Sequence, residues 1–289
     1  MIRLALRVAR ADSELVLADL LELAPDGVEE LELDSEDGAE PQVEYAVYGP
    51  PGELPRLPDL QVLAGGVAVQ VSSSEVPDDW PERWKRFHRP VLIEASTASL
   101  HVRPPWEPPS ANAETIEIVI DPAQAFGTGA HATTRLCLEL LLELVGEDPS
   151  RGPVLDVGAG SGVLAIAAAE LGYGPVLALD NDPLSVQAIE DNARVADVEL
   201  AVRLFDLRSQ RLPLSELGRA GEGVVLANLL RPLLLELAAA LAEPPAHLIA
   251  SGLLREEADE VARAFARRGL AERGRRERGD WAALWLSRG

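Results

Sequence analysis

Three glycines and two aspartates in the middle of the chain form a pattern suited to binding a nucleoside. An apolar run ends in Asp156, and Gly158, Gly160 and Gly162 follow it at alternate positions. Glycine suits such a turn because a Cβ would block close approach of a ligand to the backbone, and because some positions need positive φ. A second apolar run ends in Asp180, where a carboxylate at a strand tip can accept hydrogen bonds from ribose hydroxyls. The pattern therefore predicts strand, turn, helix and strand around a nucleoside-containing ligand.

The spacing of the glycines separates this turn from the dinucleotide fingerprint. Dinucleotide-binding turns use G-x-G-x-x-G, and a pyrophosphate rests on the helix N-terminus. Here the spacing is G-x-G-x-G, and the carboxylate of Asp156 before it would repel a pyrophosphate. The turn resembles that of class I S-adenosylmethionine-dependent methyltransferases. A nicotinamide dehydrogenase, or a glycine-rich turn in an ordinary βαβ unit, is the alternative at this point.

A glycine-containing loop precedes the turn and carries further polar candidates. Alternating isoleucines over 116–120 predict a strand, and Thr133 or Thr134 is placed to open the helix after the loop. We expect the intervening loop, PAQAFGTGAHATT, to fold over the amino-acid end of the ligand. His131 within it could act as a general base or have a structural role, and both interpretations stay open.

Polar side chains also follow two later strands. Asp206 could meet an adenine amino group or be a solvated turn residue, and Asn228 could orient an amine or the ligand or simply end its strand. Asp182 followed by Pro183 predicts a helix start. The later strands are predicted over 200–205, 224–227, 247–250, 272–277 and 281–287, and the last two form an antiparallel end pair. Together these elements predict a seven-stranded, Rossmann-like α/β sheet.

The first 72 residues predict a small separate domain. Alternating apolar residues indicate four strands, over 2–8, 28–33, 43–48 and 67–71. Ser13 is suited to cap a helix after the first strand, and a second helix would have to lie in the proline-rich stretch over 50–58. The order β-α-β-β-α-β is that of a ferredoxin-like α+β fold. No catalytic pattern occurs here, so we expect a packing or recognition module.

Residues 73–106 are predicted to be a linker. Three aromatic residues recur in it at helical spacing: Trp80, Trp84 and Phe87. Such a stripe is typical of a packed interdomain contact, with an aromatic ligand cage as the alternative. A short strand is predicted over 100–103, before the stiff stretch PPWEPP. We therefore expect the second domain to cover 107–289.

Composition restricts the partners. The 289 residues are 47% hydrophobic and carry a formal net charge of −22, which disfavours direct binding to DNA or RNA phosphates and favours a basic protein partner. Cys137, the single cysteine, lies in an apolar helix pattern and is expected to be a buried thiol. No run is long and apolar enough to predict a membrane span, and no cysteine or histidine cluster predicts a metal. We expect a cytoplasmic monomer.

Several segments together resemble the ribosomal protein L11 methyltransferase (PrmA) family. They are the loop PAQAFGTGAHATT, the turn LDVGAGSGVLAIAA, the segment LDNDPLSVQAIEDNA, and the short ANLL and SGLL. The resemblance extends over nearly the whole chain, including the tryptophan-marked linker and the closing WAALWL. It implies a ferredoxin-like substrate-recognition domain, a linker and a seven-stranded class I methyltransferase domain.

The resemblance also implies a reaction and a site. The implied activity is S-adenosylmethionine-dependent methylation of lysine in a basic large-subunit ribosomal protein. Asn228 is the candidate catalytic residue, and Thr134, Gly158, Asp180 and Asn228 are the ligand contacts that the resemblance implies. The full set of candidate cofactor-binding residues is Phe126, Gly127, Thr134, Asp156, Gly158, Gly160, Asp180 and Asn228. A related methyltransferase for another protein or a small molecule, or a catalytically silent S-adenosylmethionine-binding partner of the ribosome, is the alternative.

Overall fold

The computed structural model describes most of the chain, in two compact units. The units are Met1–Phe87 and His88–Gly289. The described residues are 2–10, 13, 16, 20, 28–33, 42–49, 70–75, 88–122, 129, 131–148, 150–217 and 222–289. The predicted aromatic stripe of the linker and the loop residues Phe126 and Gly127 lie outside them.

The described part of the first unit contains one antiparallel sheet. Its strands are β1 (Ile2–Ala9), β2 (Glu29–Leu33), β3 (Gln42–Gly49) and β4 (Gln70–Glu75), in the order β2-β3-β1-β4. One face of the sheet buries Leu6 and Tyr45 in a cluster with Val16 and Leu20, two residues in helical conformation. Alternation of apolar and polar residues along β1 thus produces one apolar face, as the period of two predicts.

The stretch predicted as a linker contains strands of the second unit. β5 (Val91–Glu94) pairs antiparallel with β6 (Ser99–Arg103), and β6 pairs parallel with β7 (Ile116–Val119). Ile93, Leu100 and Val102 are buried in the same core as the helices of this unit. The predicted strand over 100–103 is therefore present, but residues 88–106 belong to the second unit, because their apolar side chains complete its core.

The second unit is organised around a mixed sheet with seven strands among the described residues. They are β8 (Val154–Val157), β9 (Val176–Asp180), β10 (Ala201–Leu204), β11 (Val224–Asn228), β12 (His247–Leu254), β13 (Leu270–Arg278) and β14 (Trp281–Arg288). The order is β10-β9-β8-β11-β12-β14-β13, with the first five strands parallel and β14 antiparallel to both neighbours. β8 and β9 are buried throughout, as expected for parallel strands covered on both faces.

Helices cover both faces of this sheet. They are α1 (Ala132–Glu147), α2 (Val163–Glu170), α3 (Pro183–Ala196), α4 (Arg231–Ala240) and α5 (Ala258–Ala266), with 3₁₀ turns at Leu214–Leu217 and Arg255–Glu257. The apolar residues of α1 and α2, with Ile189 of α3, pack on one face of the sheet. Those of α4 and α5 pack on the other face. This doubly wound arrangement brings the carboxyl ends of β8, β9 and β11 to one edge.

Membrane-spanning helices and metal-binding clusters are both absent among the described residues. None of the helices found there has both the length and the apolarity needed to cross a membrane. The same residues hold no group of three or more histidine, cysteine or acidic side chains arranged to bind a metal ion.

Candidate functional site

The glycine turn joins β8 to α2 in the conformation that the sequence predicts. Gly158, Gly160 and Gly162 have φ values of 73°, 55° and 81°, in the left-handed region that favours glycine. A Cβ on Gly158 would lie 2.3 Å from the Cδ2 atom of Leu229. Gly158 and Ala159 both donate their backbone N–H groups to the carbonyl oxygen of Leu179. The turn is thus fixed to β9 and lies close to the end of β11.

Asp180 ends β9 beside the turn. Its Oδ2 atom accepts from the backbone N–H of Gly160 at 2.8 Å, and its Oδ1 atom accepts from that of Asp182 at 3.0 Å. Burial raises the pKa of this carboxyl above its ordinary value, and hydrogen bonds from Asp182 and Gly160 oppose that rise. Each oxygen can accept further hydrogen bonds, because a carboxylate oxygen has more than one lone pair. Asp180 therefore both positions the turn and can receive a hydroxyl donor from the cleft.

Asp156, predicted to bind the cofactor, lies beneath the turn. Its side chain is fully buried, and Oδ2 accepts from the backbone N–H of Ala165 in the first turn of α2 at 3.0 Å. Its Oδ1 atom has no hydrogen-bond partner among the described residues. Burial, together with the nearby charge of Asp180, raises the pKa of Asp156 to about 7, and the hydrogen bond from Ala165 opposes that rise. In this structure Asp156 caps α2 and has no surface in the open cleft.

Asn228 and Thr134, which lie far apart in sequence, meet at the same edge. Asn228 ends β11, and its Nδ2 atom donates to Oγ1 of Thr134 in α1 at 3.2 Å. Thr134 is fully buried, whereas Asn228 is partly exposed. Because Leu226 pairs with Asp156 in the register of β11 and β8, Asn228 lies at the height of Gly158. The amide orientation leaves Oδ1 of Asn228 as an acceptor at this edge of the sheet.

His131 begins α1. It is the N-cap residue, and its Nδ1 atom accepts from the backbone N–H of Thr133 and lies 2.8 Å from the Oγ1 atom of Thr133. Its ring also makes an edge contact with Trp281, with 5.0 Å between ring centroids. Burial lowers its pKa. The prediction that Thr133 or Thr134 opens the helix was wrong by two or three residues, because the histidine ring supplies the cap.

A cleft opens beside Gly158 and Asp180, which line it, and several of its other side chains were not among the predicted site residues. Asp206, an open candidate, is exposed and accepts locally from Arg208 N–H and the Ser209 hydroxyl. The cleft is lined by Val157, Gly158, Asp180, Asn181, Phe205, Asp206, Leu207, Arg208, Leu229 and Leu233. Four of the apolar lining residues, Phe205, Leu207, Leu229 and Leu233, follow the carboxyl ends of β10 and β11. The position of these two strands in the predicted sheet was therefore the sequence signal that could have identified them.

Gly252, in the SGLL segment, positions the neighbouring ANLL segment. Its φ is 81°, and a Cβ there would lie 2.5 Å from the carbonyl oxygen and 2.9 Å from the nitrogen of Leu229. Leu229 in turn donates its N–H to Ser251 at 3.0 Å. A side chain at 252 would thus displace the backbone directly after Asn228.

We expect Gly252→Ala to lower the free energy of unfolding and ligand affinity more than Gly172→Ala does. Gly172 is a matched control, since its φ is 87° and no atom of the described residues lies within 4 Å of an added Cβ. The strain of positive φ, about 1 kcal/mol, is common to both variants, so the difference isolates the collision with Leu229. Urea unfolding and ligand titration would measure it. Equal losses in the two variants would show that the close approach at Gly252 is unimportant.

The doubly wound sheet, its closing antiparallel strand and the glycine turn define an α/β methyltransferase of class I. The first five strands follow the order of a Rossmann sheet, and β14 is inserted antiparallel beside β12. The model of the family described as ribosomal protein L11 methyltransferase (PrmA) matches residues 58–289. The chain therefore belongs to the PrmA family.

Relatives and a solved structure agree with this assignment. The chain is 38% identical over 301 residues to a ribosomal protein L11 methyltransferase of Syntrophotalea carbinolica, which covers 96% of this chain and 94% of the relative. It is 41% identical over 230 residues to the protein of that name from Pelotomaculum thermopropionicum, across 78% of this chain and 71% of the relative. A crystal structure of ribosomal protein L11 methylase from Lactobacillus delbrueckii subsp. bulgaricus superposes with a TM-score of 0.55 at 28% identity, covering 68% of this chain and 98% of that one.

Proposed function

We propose that this protein binds S-adenosylmethionine and transfers its methyl group to lysine amines of ribosomal protein L11. The observation that carries the proposal is the meeting of Asn228 and Thr134 at the height of Gly158, beside the glycine turn. The family relatives named for L11 methylation support the choice of substrate. The negative net charge of −22 supports a basic protein partner.

The residues of the cleft fit S-adenosylmethionine. Gly158 lines the cleft and has no side chain, so its backbone can lie close to a ligand. We assign the ribose hydroxyls to the oxygens of Asp180, and the amino-acid end to Thr134, Gly160 and the loop that carries Phe126 and Gly127. Asp156 supports the same turn from below through α2. When bound, the cofactor supplies a methyl group already activated by its sulfonium.

The protein has to align an amine and keep water away from it. Methyl transfer needs the nucleophile in line with the methyl carbon, at about 3 to 3.5 Å. A lysine must also lose its proton, and its reference pKa near 10.4 makes that cost about 4.6 kcal/mol at pH 7. Desolvation in a narrow site lowers that cost. We assign to Oδ1 of Asn228 the role of accepting from the amine, in an orientation fixed by the bond from Nδ2 to Thr134.

We propose a ferredoxin-like fold and substrate recognition for the first unit. Its strands have the order β2-β3-β1-β4, and all neighbours are antiparallel. A β-α-β-β-α-β chain produces this order when each helix connects two strands that have one other strand between them. Ser13, Val16 and Leu20 are helical and buried, in agreement with a helix after β1. We further propose that the protein acts as a cytoplasmic monomer.

A lysine acceptor predicts a characteristic pH dependence. Single-turnover methylation should rise about tenfold per pH unit from neutral pH and then level off at the lowered pKa of the bound lysine. The cofactor must saturate the protein at every pH, because burial raises the pKa of Asp156 and of Asp180 and the state of the site changes with pH. Lys85 is the only lysine of the chain, so self-methylation on lysine is confined to one position.

The same profile distinguishes other acceptors. A carboxylate or thioether would show no ionisation-limited rise above neutral pH, and a thiol would level off near its reference pKa of about 8.5. With chemistry shown to be rate-limiting, a flat profile between about pH 6.5 and 9.5 would exclude lysine as the acceptor. A Lys85→Arg variant controls for label incorporated into the protein itself.

A further inference from the structure

A buried asparagine in α3 joins two parts of the site. Asn192 is 2% exposed. Its Nδ2 atom donates to the carbonyl oxygen of Ser161, in the glycine turn, at 2.9 Å. Its Oδ1 atom accepts from the backbone N–H of Asp121 at 2.9 Å. Asp121 follows β7 at the beginning of the segment that leads to Phe126, so one side chain connects the turn to the base of the loop.

A neutral primary amide of this length makes both bonds, because it carries one acceptor and one donor. A backbone N–H donates and a backbone carbonyl accepts, so the amide of Asn192 has a single orientation between Asp121 and Ser161. An ionised aspartate would keep the acceptor for Asp121 but would place a second acceptor against Ser161. A leucine of similar size would leave both backbone groups without this partner. Position 192 therefore requires a side chain that both donates and accepts a hydrogen bond, and not only a side chain of this volume.

The helix that carries Asn192 is well fixed. Asp182 caps it by accepting from the N–H of Leu184 at 2.9 Å, and Pro183 occupies its first turn. Ile189, one turn before Asn192, packs against the turn so closely that a Cβ on Gly162 would lie 3.0 Å from its Cγ2 atom. A polar side chain on this buried face costs free energy of desolvation unless both of its ends are paired. α3 is thus a rigid support from which Asn192 can set the position of the turn.

The turn is consequently held from two directions. Asp180 accepts from the N–H of Gly160, and Asn192 donates to the carbonyl of the next residue, Ser161. We propose that Asn192 is a positioning residue for the cofactor, which places the glycine turn relative to Asp121 at the base of the loop. The proposal rests on the proposed function only in taking S-adenosylmethionine as the ligand. It adds a residue that does not itself line the cleft.

The test uses the full-length Asn192→Asp variant. Its affinity for S-adenosylmethionine is measured by calorimetric titration at several pH values, at a temperature at which the variant is folded. At pH 8 the introduced carboxylate faces the Ser161 carbonyl, and we expect affinity about tenfold or more below that of the unmodified protein. On acidification a protonated carboxyl group can donate to Ser161 as the amide does. Burial raises the pKa of such a group. The affinity should therefore return to within about threefold by pH 5.5.

The affinities of the variant and of the unmodified protein are compared as a ratio at each pH. This removes the common effect of Asp156 and Asp180, whose pKa values are raised. Glu190→Gln, at an exposed position of the same helix, is the matched control and should bind like the unmodified protein. A residue that only stabilises the fold would lower the melting temperature of Asn192→Asp and leave affinity unchanged. Affinity equal to that of the unmodified protein at pH 8 would overturn the proposal.

A second measurement uses the unmodified protein, so it does not depend on the variant folding. Hydrogen exchange of the Asp121 amide, which donates to Asn192, should slow when S-adenosylmethionine is added. Exchange that ligand leaves unchanged would contradict coupling between this bond and the cofactor. Both measurements use the cofactor alone, so failure to methylate L11 would refute the proposed substrate and leave this test intact. Absence of any S-adenosylmethionine binding by the unmodified protein would refute both.

Discussion

Asp180→Ala is expected to weaken S-adenosylmethionine binding by about 1.5 to 3 kcal/mol, because the ribose hydroxyls would lose a charged acceptor in a mostly buried site. The same substitution removes the acceptor of the Gly160 and Asp182 N–H groups, so we also expect a lower melting temperature. Isothermal titration of the folded variant would measure the first effect and thermal unfolding the second. Asp259→Ala is the comparison, since Asp259 does not line the cleft and its exposed carboxylate accepts a hydrogen bond from Arg275.

A ligand lacking the two ribose hydroxyls separates the two roles of Asp180. In the unmodified protein, S-adenosylhomocysteine should bind more tightly than its 2′,3′-dideoxy analogue. In Asp180→Ala that preference should largely disappear, as in a double-mutant cycle in which one change is made in the ligand. A preference of equal size in both proteins would show that Asp180 supports the turn without contacting the ribose.

Asn228→Ala is expected to lower the maximal rate of methylation by about a hundredfold or more, while cofactor affinity falls less. The physical reason is loss of the acceptor that orients the amine, a contribution comparable to that of one preorganised polar group in an active site. Rapid-quench measurement at saturating cofactor and substrate would isolate the chemical step. Asn112→Ala, at an exposed asparagine between β6 and β7, serves as the control.

Thr134→Val tests whether the hydrogen bond to Thr134 fixes the orientation of the Asn228 amide. Valine keeps the volume of the buried threonine but removes the hydroxyl that accepts from Nδ2 of Asn228. If that bond fixes the amide, the variant should lose part of the rate that Asn228→Ala loses, and the double variant should be no slower than Asn228→Ala alone. Additive losses would show that the two residues contribute independently.

The central βαβ unit was predictable because its signals are local. The positive φ angles of the glycine turn, the position of Asp180 at a strand end and the Asp182 cap of α3 all follow from short-range rules. These elements could be read from the chain because each depends on neighbouring residues.

Non-local contacts explain what the sequence did not reveal. Asp156 lies in a strand buried on both faces, so alternation could not show that its carboxylate points to the N-terminus of α2 instead of the cleft. Asn192 is hydrogen-bonded to Ser161, 31 positions away in the sequence, and to Asp121, 71 positions away. Its signal in the sequence was a polar residue on the otherwise mostly apolar buried face of α3, beside Ile189 and Ala193.

Non-local contacts also explain why the boundaries of the predicted linker differ from those of the observed units. Prolines and aromatic residues suggested a connecting segment, yet β5 pairs with β6 and β6 pairs with β7 to form a sheet. The pairing of Leu100 with Ile116 joins residues on either side of the proline-rich stretch. Composition identified that stretch as stiff, but only the pairing of the strands around it assigns residues 88–106 to the second unit.

The most direct test of the account is the intact mass of ribosomal protein L11 from the same organism after incubation with this protein and S-adenosylmethionine. We expect the mass to increase by whole methyl groups, and fragmentation to place them on lysine amines. The increase should be almost absent with Asn228→Ala at the same time of reaction. An unchanged mass with a folded protein that binds the cofactor, or methyl groups confined to side chains other than lysine, would contradict the proposed function.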